Sequence, residues 1–389
     1  MRVKILIISI ILTQQLMAQS YKQIHADAFV VDSHNDILSK TTDYGYILDR
    51  DLKGKTHTDL ARLKEGGVDV QIFSVFCDGE EKYPFKLANR QMDSLDAVLK
   101  RNPDKIVKVA NSSELYSVVK QNKIAAMFGI EGGHMIEDDL DKLTSLYKRG
   151  ARYMTLTWVN SNSWATSSND EAFNKELKHK GLTELGKQVV RRMNELGMLV
   201  DISHVGEQTF WDVISTTTKP VIASHSDVYA LCQHNRNLKD EQIRAIAKNG
   251  GVIQVNFYSG FLDNNYFKNK EAFLKKHAED IDSLIKAGME KSKIEDYLYI
   301  RYRNEVEHMR ASFSAVIDNI EYIIKLVGVD YVGLGSDFDG IESAPQGLDD
   351  VTRYPQISMA LVDRGYNPQE ITKILGGNFL RVLKANETK

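Results

Sequence analysis

Cysteine is nearly absent from this chain: Cys77 and Cys232 are its only thiols in 389 residues. Two cysteines in a domain this large make no disulfide framework, so a buried core must hold the fold. Neither has a Cys-x-x-Cys partner, and both read as small half-buried thiols. Charge of one sign is not in excess either. The 50 Lys and Arg against 53 Asp and Glu leave a net charge of −3, which argues against a surface built for nucleic acid or anionic lipid. Long apolar runs are missing, apart from Ile5–Leu12 behind Arg2 and Lys4, and Thr13-Gln14-Gln15 breaks that one. A membrane span needs roughly 20 apolar residues. With Leu16-Met17-Ala18 ahead of Gln19, the segment reads as a signal peptide, residues 1–18, with a membrane anchor as the rival. No cysteine follows it for lipid attachment, and the polar end Arg381–Lys389 is no glycolipid-anchor tail. The expectation is an exported, soluble mature protein. Repeats and low-complexity tracts are lacking too. Single α/β barrels reach several hundred residues, so one domain over residues 19–389 is expected.

Eight short apolar runs are present: Ala28–Val31, Val68–Phe76, Ile124–Ile130, Tyr153–Trp158, Met198–Ile202, Val221–Ala223, Gly251–Phe257 and Val332–Leu334. They are rich in Val, Ile and Phe, as strands buried on both faces are. Helix-period segments lie between them: Leu60–Lys64, Lys86–Arg101, Ser113–Gln121, Asp138–Arg149, Thr183–Leu196, Glu207–Ser215 and Asp240–Lys248. Several stop at glycine, as at Gly150, Gly197 and Gly250. Alternation of this kind predicts an α/β fold, a (β/α)8 TIM-type barrel with right-handed crossovers. The longest break, Tyr258–Ser312, shows helical spacing at Phe273, His277, Ile281 and Leu284. It predicts a helical excursion between the seventh and eighth strands, over the barrel mouth.

Five of the runs end on residues that bind metal or move protons. The first leads into Asp32-Ser33-His34-Asn35-Asp36 and the third into Glu131-Gly132-Gly133. The fifth ends at Ser203-His204, the sixth at Ser224-His225-Ser226 and the eighth at Gly335-Ser336-Asp337. Polar side chains at the same end of strand after strand are how a parallel barrel gathers one site. His34 and Asp36, two residues apart on a strand, would share a face. His34, Asp36, Glu131, His204 and His225 exceed the three protein ligands of one open tetrahedral site. Because a carboxylate has two oxygens, Glu131 can serve two ions: His34, Asp36 and Glu131 on one, Glu131, His204 and His225 on the other. Imidazole with carboxylate oxygen suits zinc and, less selectively, iron, manganese or cobalt. Two metals roughly 3.5–4 Å apart can share a hydroxide and clamp a tetrahedral intermediate. Asp337 is placed to take the proton, with Asp339 as runner-up. His134 and His234 are candidates for contacts behind the ligands. His25, His57, His179, His277 and His308 read as structural or surface histidines.

The segments Val31–Asp36, Gly129–Gly132, Asp201–His204, Ser224–Ser226, Arg236-Asn237 and Gly335–Gly340 together resemble the renal (membrane) dipeptidase family of zinc peptidases. The resemblance runs in order from about Ala28 to Leu383. It implies an amidohydrolase-type barrel, two Zn2+ on the ligands above and Asp337 as the catalytic acid. It also implies a dipeptide substrate whose terminal carboxylate is held by an arginine matching Arg236, which alone would be just a loop cation. A planar guanidinium is suited to that pairing. Asn237 beside it is a further substrate-contact candidate, and a homodimer is left open. One departure stands out. The family commonly carries a histidine at the end of its fourth strand, where this chain has Trp158. Indole donates one hydrogen bond and accepts none, so Trp158 either donates to the developing oxyanion or walls a reshaped pocket. An amidohydrolase on another small amide or lactam, and a silent metal-stabilised binding protein, remain the alternative readings.

Overall fold

The alternation of apolar runs and amphipathic segments folds into strand–helix units wrapped into one sheet. The computed structural model describes residues 21–388; the signal-peptide segment lies outside the described residues. The strands are β1 (Val31–Asn35), β2 (Val70–Phe76), β3 (Ile106–Lys108), β4 (Ile124–Glu131), β5 (Ala151–Thr155), β6 (Leu199–Asp201), β7 (Ile222–Ala223), β8 (Val252–Val255) and β9 (Val332–Leu334). Eight of them follow one another as β1-β2-β4-β5-β6-β7-β8-β9, every pair parallel. The circle closes through a parallel bridge between Asn35 and Phe338. There Asp36 N–H donates to the Phe338 carbonyl at 2.8 Å and Asp337 N–H to the His34 carbonyl at 3.1 Å. The expected barrel is what forms.

The ninth strand was not expected. β3 pairs only with the start of β4, Ile106 opposite Ile124 through Lys108 opposite Ala126. β5 joins β4 only from Phe128 onward. Thus β3 covers the part of the β4 edge that β5 leaves bare, satisfying backbone groups that would otherwise be exposed.

Alternate residues of the strands split the core in two. Val70, Ile72, Ala125, Met127, Leu199, Ile222 and Val252 pack inside the barrel with Phe379, Leu380, Val382 and Leu383 of the last helix, Asn378–Asn386, which plugs the bottom. Phe73, Val75, Phe128, Ile130, Met154, Val200 and Ile253 face the surrounding helices. Moving up the barrel, the inward positions turn polar at Ser74, Glu131, Asp201 and Ser224, all buried. Gly129 matters here: a Cβ on it would lie 2.0 Å from the Tyr153 ring. The missing side chain lets that phenol cross the barrel interior.

Helix bounds follow the sequence expectation closely, as in Pro84–Arg101, Glu184–Leu196 and Asp240–Asn249. Two strand expectations need correction. β1 begins at Val31 and carries Asp32–Asn35 itself, and Asp36 lies past its end as the N-cap of helix Ile37–Tyr44. β5 stops at Thr155, so Trp158 belongs to the following loop. The excursion after β8 is helical, as expected, in five short pieces: Ser259–Leu262, Tyr266–Lys276, Ala278–Lys286, Lys291–Arg301 and Arg303–Glu307. Tyr258 at its start and Glu342 after β9 are joined by a 2.5 Å hydrogen bond, which ties it to the barrel mouth. None of the helices is long and apolar enough to cross a membrane among the described residues.

Candidate metal centre

At the end of β4 the Glu131 carboxylate lies between two groups of side chains. Its Oε2 is 3.3 Å from His34 Nε2, which is itself 3.3 Å from Asp36 Oδ2. Its Oε1 is 3.0 Å from His204 Nε2 and 3.6 Å from His225 Nε2. All five residues are buried. The structure therefore brings together every residue singled out as a metal-ligand candidate, with one Glu131 oxygen toward each group. Two triples lie tightest, with donor atoms within 4.8 Å of one another: His34, Glu131 and His225, and His34, Asp36 and Asp337. His34 thus reaches both sides, and Asp337 joins the Asp36 side. His204 enters through its close approach to Glu131.

The atoms here fit a cation. His34 Nε2, both Asp36 carboxylate oxygens and His204 Nδ1 are buried without hydrogen-bond partners, and such groups are costly unless an ion or proton satisfies them. Protonation states agree for two of the three imidazoles; His34, which burial would lower, is instead raised well above its ordinary value by the Tyr153, Glu131 and Asp36 charges, so a metal ion there would displace its proton. Burial, and next the Arg236 charge, lowers His204 to about 4. Burial, with His34 and His204 adding to it, takes His225 well below its ordinary value. Both imidazoles are therefore neutral near pH 7 and have lone pairs to give.

Ring orientation is set behind the ligands. The Tyr153 hydroxyl donates to the Ser33 carbonyl at 3.0 Å and lies 2.6 Å from His34 Nδ1. Its single proton is spoken for, so Nδ1 must donate to it, and Nε2 is the nitrogen turned toward the cage. His225 repeats the logic: Ser224 Oγ donates to Asp201 at 2.6 Å and accepts from His225 Nδ1 at 2.8 Å. His204 has no such partner on Nδ1 and instead takes a left-handed backbone, φ 65°. Asp337 does likewise at φ 61°. Non-glycine residues in that region concentrate at functional sites.

Asp337 Oδ1 is 3.9 Å from His34 Nε2, and Asn256 Nδ2 holds its Oδ2 at 2.9 Å. Burial raises Asp337 well above the usual carboxylate range, with Asp36 and Glu131 adding to the rise against the pull of His34. Asp339 turns away: its Oδ1 accepts from His57 N–H at 2.7 Å and its own N–H donates to His57 Nδ1 at 3.0 Å. Gly340 follows, where a Cβ would meet Asp36 Oδ2 at 2.4 Å.

Arg236 is buried beside the cage. Its Nη2 donates to the His225 carbonyl at 3.1 Å, its guanidinium lies 5.3 Å from the Phe261 ring centre, and its Nε has no partner. The Asn237 amide nitrogen is engaged with the Cys232 and Phe261 carbonyls, both at 2.8 Å, while its Oδ1 is buried and unpaired. Trp158 is half-buried, edge-on to Phe76 at 4.7 Å, in the cleft of about 420 Å3 that holds Asp36, Glu131, His204 and Asp337. His134 lies 3.2 Å from the Cys77 carbonyl. His234 accepts from Arg236 N–H at 3.2 Å, stacks on Phe267 and lies tilted against Phe261 at 4.8 Å. Sequence reasoning missed Tyr153, Asp201, Asn256 and the structural role of Asp32. Only the position of Asp32 and Asp201, two residues before His34 and three before His204, could have hinted at them.

Imidazoles and carboxylates caged at the C-terminal mouth of a parallel barrel define a metal-dependent hydrolase. A model of the membrane dipeptidase family (peptidase family M19) matches residues 18–389. The chain belongs to that family, and so is a peptide hydrolase of the metallopeptidase kind. An uncharacterized dipeptidase of Schizosaccharomyces pombe is 32% identical over 401 aligned residues, covering 96% of this chain and 84% of that protein. A probable dipeptidase of Pseudomonas aeruginosa, PvdM, superposes with a TM-score of 0.79 at 25% identity, over 96% of this chain and 98% of that one. A metallo peptidase of Rhodobacter sphaeroides, solved with a phosphinate mimic of the dipeptide L-Ala-D-Ala, shares the fold with a TM-score of 0.74 at 22% identity, over 93% and 100% of the two chains.

Proposed function

We propose that the protein is an exported dipeptidase that holds two Zn2+ ions and hydrolyses dipeptides with a free C-terminal carboxylate. The observation that carries this reading is the division of Glu131, one oxygen toward His34 and Asp36 and the other toward His204 and His225. His34, Asp36, Glu131, His204 and His225 would hold the metal pair, which when bound would supply Lewis acidity and an acidified water at neutral pH. The chain's own residues do the rest. Tyr153 and Ser224 keep His34 and His225 aimed into the cage. Asp337, held by Asn256, takes the proton released in the attack and returns it to the leaving amine. Arg236, with an unpartnered Nε, pairs with the substrate carboxylate and so sets the exopeptidase register. Export rests on Arg2, Lys4, Ile5–Leu12 and Leu16-Met17-Ala18, and N-terminal sequencing of the protein from a secreting host should read Gln19 first.

The direct test compares a dipeptide with its C-terminal amide on the zinc-loaded protein. Losing the charge opposite Arg236 should lower kcat/KM by about one to two decades, from roughly 1.5–3 kcal/mol per charge-assisted hydrogen bond. Arg236→Lys should share much of that loss, because an ammonium cannot pair bidentately. The phosphinate dipeptide mimic should inhibit. Equal turnover of acid and amide would move the reading to an amidohydrolase with a pocket shaped by Trp158.

A further inference from the structure

Two clefts meet over the cage, and they differ in chemistry. One, of about 470 Å3, is lined by Arg236 and His204 together with polar residues such as Glu171, Lys180, Gln233 and Lys239. The other holds Asp36, Glu131, His204 and Asp337 on its floor, and its walls are Phe76, Trp158, Val159, Tyr258, Phe261 and Ile341. His204 is common to both, and the Phe261 ring that walls the second lies over the Arg236 guanidinium of the first.

Resting on the proposed dipeptidase reading, this arrangement fixes the direction of the substrate. With its carboxylate on Arg236, the C-terminal residue occupies the polar cleft. The scissile carbonyl is one residue further on, about 3.8 Å from Cα to Cα, which carries the N-terminal residue past His204 into the second cleft. Of the charged residues lining that cleft besides its floor, Lys40, Asp43, Asp339 and Glu342, the three acids have hydrogen-bond partners, Asp43 accepting from Thr42 at 3.4 Å. Glu342 accepts from Tyr258 at 2.5 Å and from Lys270 at 2.8 Å, and Lys40 lies 5.6 Å from the Tyr44 ring centre. Asp339 is turned into its bond with His57. The surface left for a substrate side chain is the apolar wall. We infer that this wall is the specificity pocket for the N-terminal residue and selects a bulky apolar side chain, with Trp158 as its determinant.

The test is kcat/KM of the zinc-loaded protein on Xaa-Gly with Xaa Ala, Leu, Phe, Lys and Glu, and on Gly-Xaa with the same residues. Leu-Gly and Phe-Gly should exceed Ala-Gly by about tenfold or more, since each methylene in an apolar pocket discriminates by about tenfold at least. Lys-Gly and Glu-Gly should fall below Ala-Gly, and the Gly-Xaa series should vary less. Trp158→Ala should bring the Leu-Gly to Ala-Gly ratio toward one while zinc content stays unchanged. A flat Xaa-Gly series, or a preference for a charged N-terminal residue, overturns the pocket while leaving the dipeptidase reading intact. Absence of turnover on every dipeptide overturns both.

Discussion

The two sides of the metal cage are built from the same device in different places. On one side Asp32 accepts from Ser336 N–H at 2.9 Å and Ser336 Oγ at 2.7 Å. On the other Asp201 accepts from Ser224 N–H at 2.9 Å and Ser224 Oγ at 2.6 Å. Each aspartate also accepts the N–H two residues ahead, His34 at 3.3 Å and Ser203 at 3.1 Å. A buried carboxylate thus clamps the end of its own strand to the next. The difference lies in what is clamped. Asp201 joins β6 to β7, neighbours in sequence, and has a further donor in Thr155 at 2.5 Å. Asp32 grips a residue 304 positions away, across the seam where β1 meets β9. The cage is thus held by two routes, local on the His225 side and dependent on barrel closure on the His34 side.

Removing the shared group should erase the distinction. Glu131→Ala should lower metal content from about two per chain on both sides at once and bring activity to background, read by elemental analysis and dipeptide turnover. A variant that holds one ion as tightly as the wild type would show that Glu131 belongs to one side alone.

Asp337→Asn keeps the shape and removes the proton acceptor. It should cut kcat by roughly 10^2- to 10^4-fold with metal content unchanged. Near-normal turnover in the metal-replete variant would shift the proton to another group.

Tyr153→Phe and Ser224→Ala separate the sides. Loss of a group orienting a ligating histidine costs about 10- to 100-fold in metal affinity. In two-step calorimetric titrations the first variant should weaken chiefly the His34 site and the second chiefly the His225 site. Equal weakening of both steps by either change would contradict independent sides.

The smallest effect concerns acid stability of the metal-free protein. His204, lowered from 6.5 to about 4 mainly by burial, stays neutral in the fold where the unfolded chain takes a proton. Its contribution is present above 6.5 and is lost as pH falls toward 4, amounting to roughly 1 kcal/mol by about pH 5.5. Asp36 and Asp337, raised chiefly by burial, act in the opposite sense and favour the fold as pH falls. The difference between wild type and His204→Gln melting curves isolates the imidazole, and parallel curves across that range would refute the assignment.

Much of this was legible in the chain because barrel strands are apolar on both faces and end abruptly. Ile124–Ile130 followed by Glu131, and Val221–Ala223 followed by His225, announce strand and site together. The His34–Asp36 pairing was anticipated for a different reason than the real one. The two meet because the chain turns at Asp36, past the end of β1 and at the start of the next helix, not because both sit on one strand face. β3 escaped notice because three residues carry no periodicity, and its existence depends on where β5 begins. Tyr153 escaped because a phenol inside a strand reads as core, and its reach to His34 depends on the space at Gly129, two strands from β1 by way of β2.

Barrel closure between Asn35 and Phe338 has a consequence for how the protein comes into being. The bonds that finish the barrel are the ones that bring His34, Asp36 and Asp337 to the cage, and they join the first strand to the last. Loops this long add a closure cost that grows only slowly with length, but contacts so distant in sequence form late and slowly. A nascent or truncated chain lacking β9 therefore has half a cage and no proton acceptor, so hydrolytic competence arrives as an all-or-none property of the completed chain.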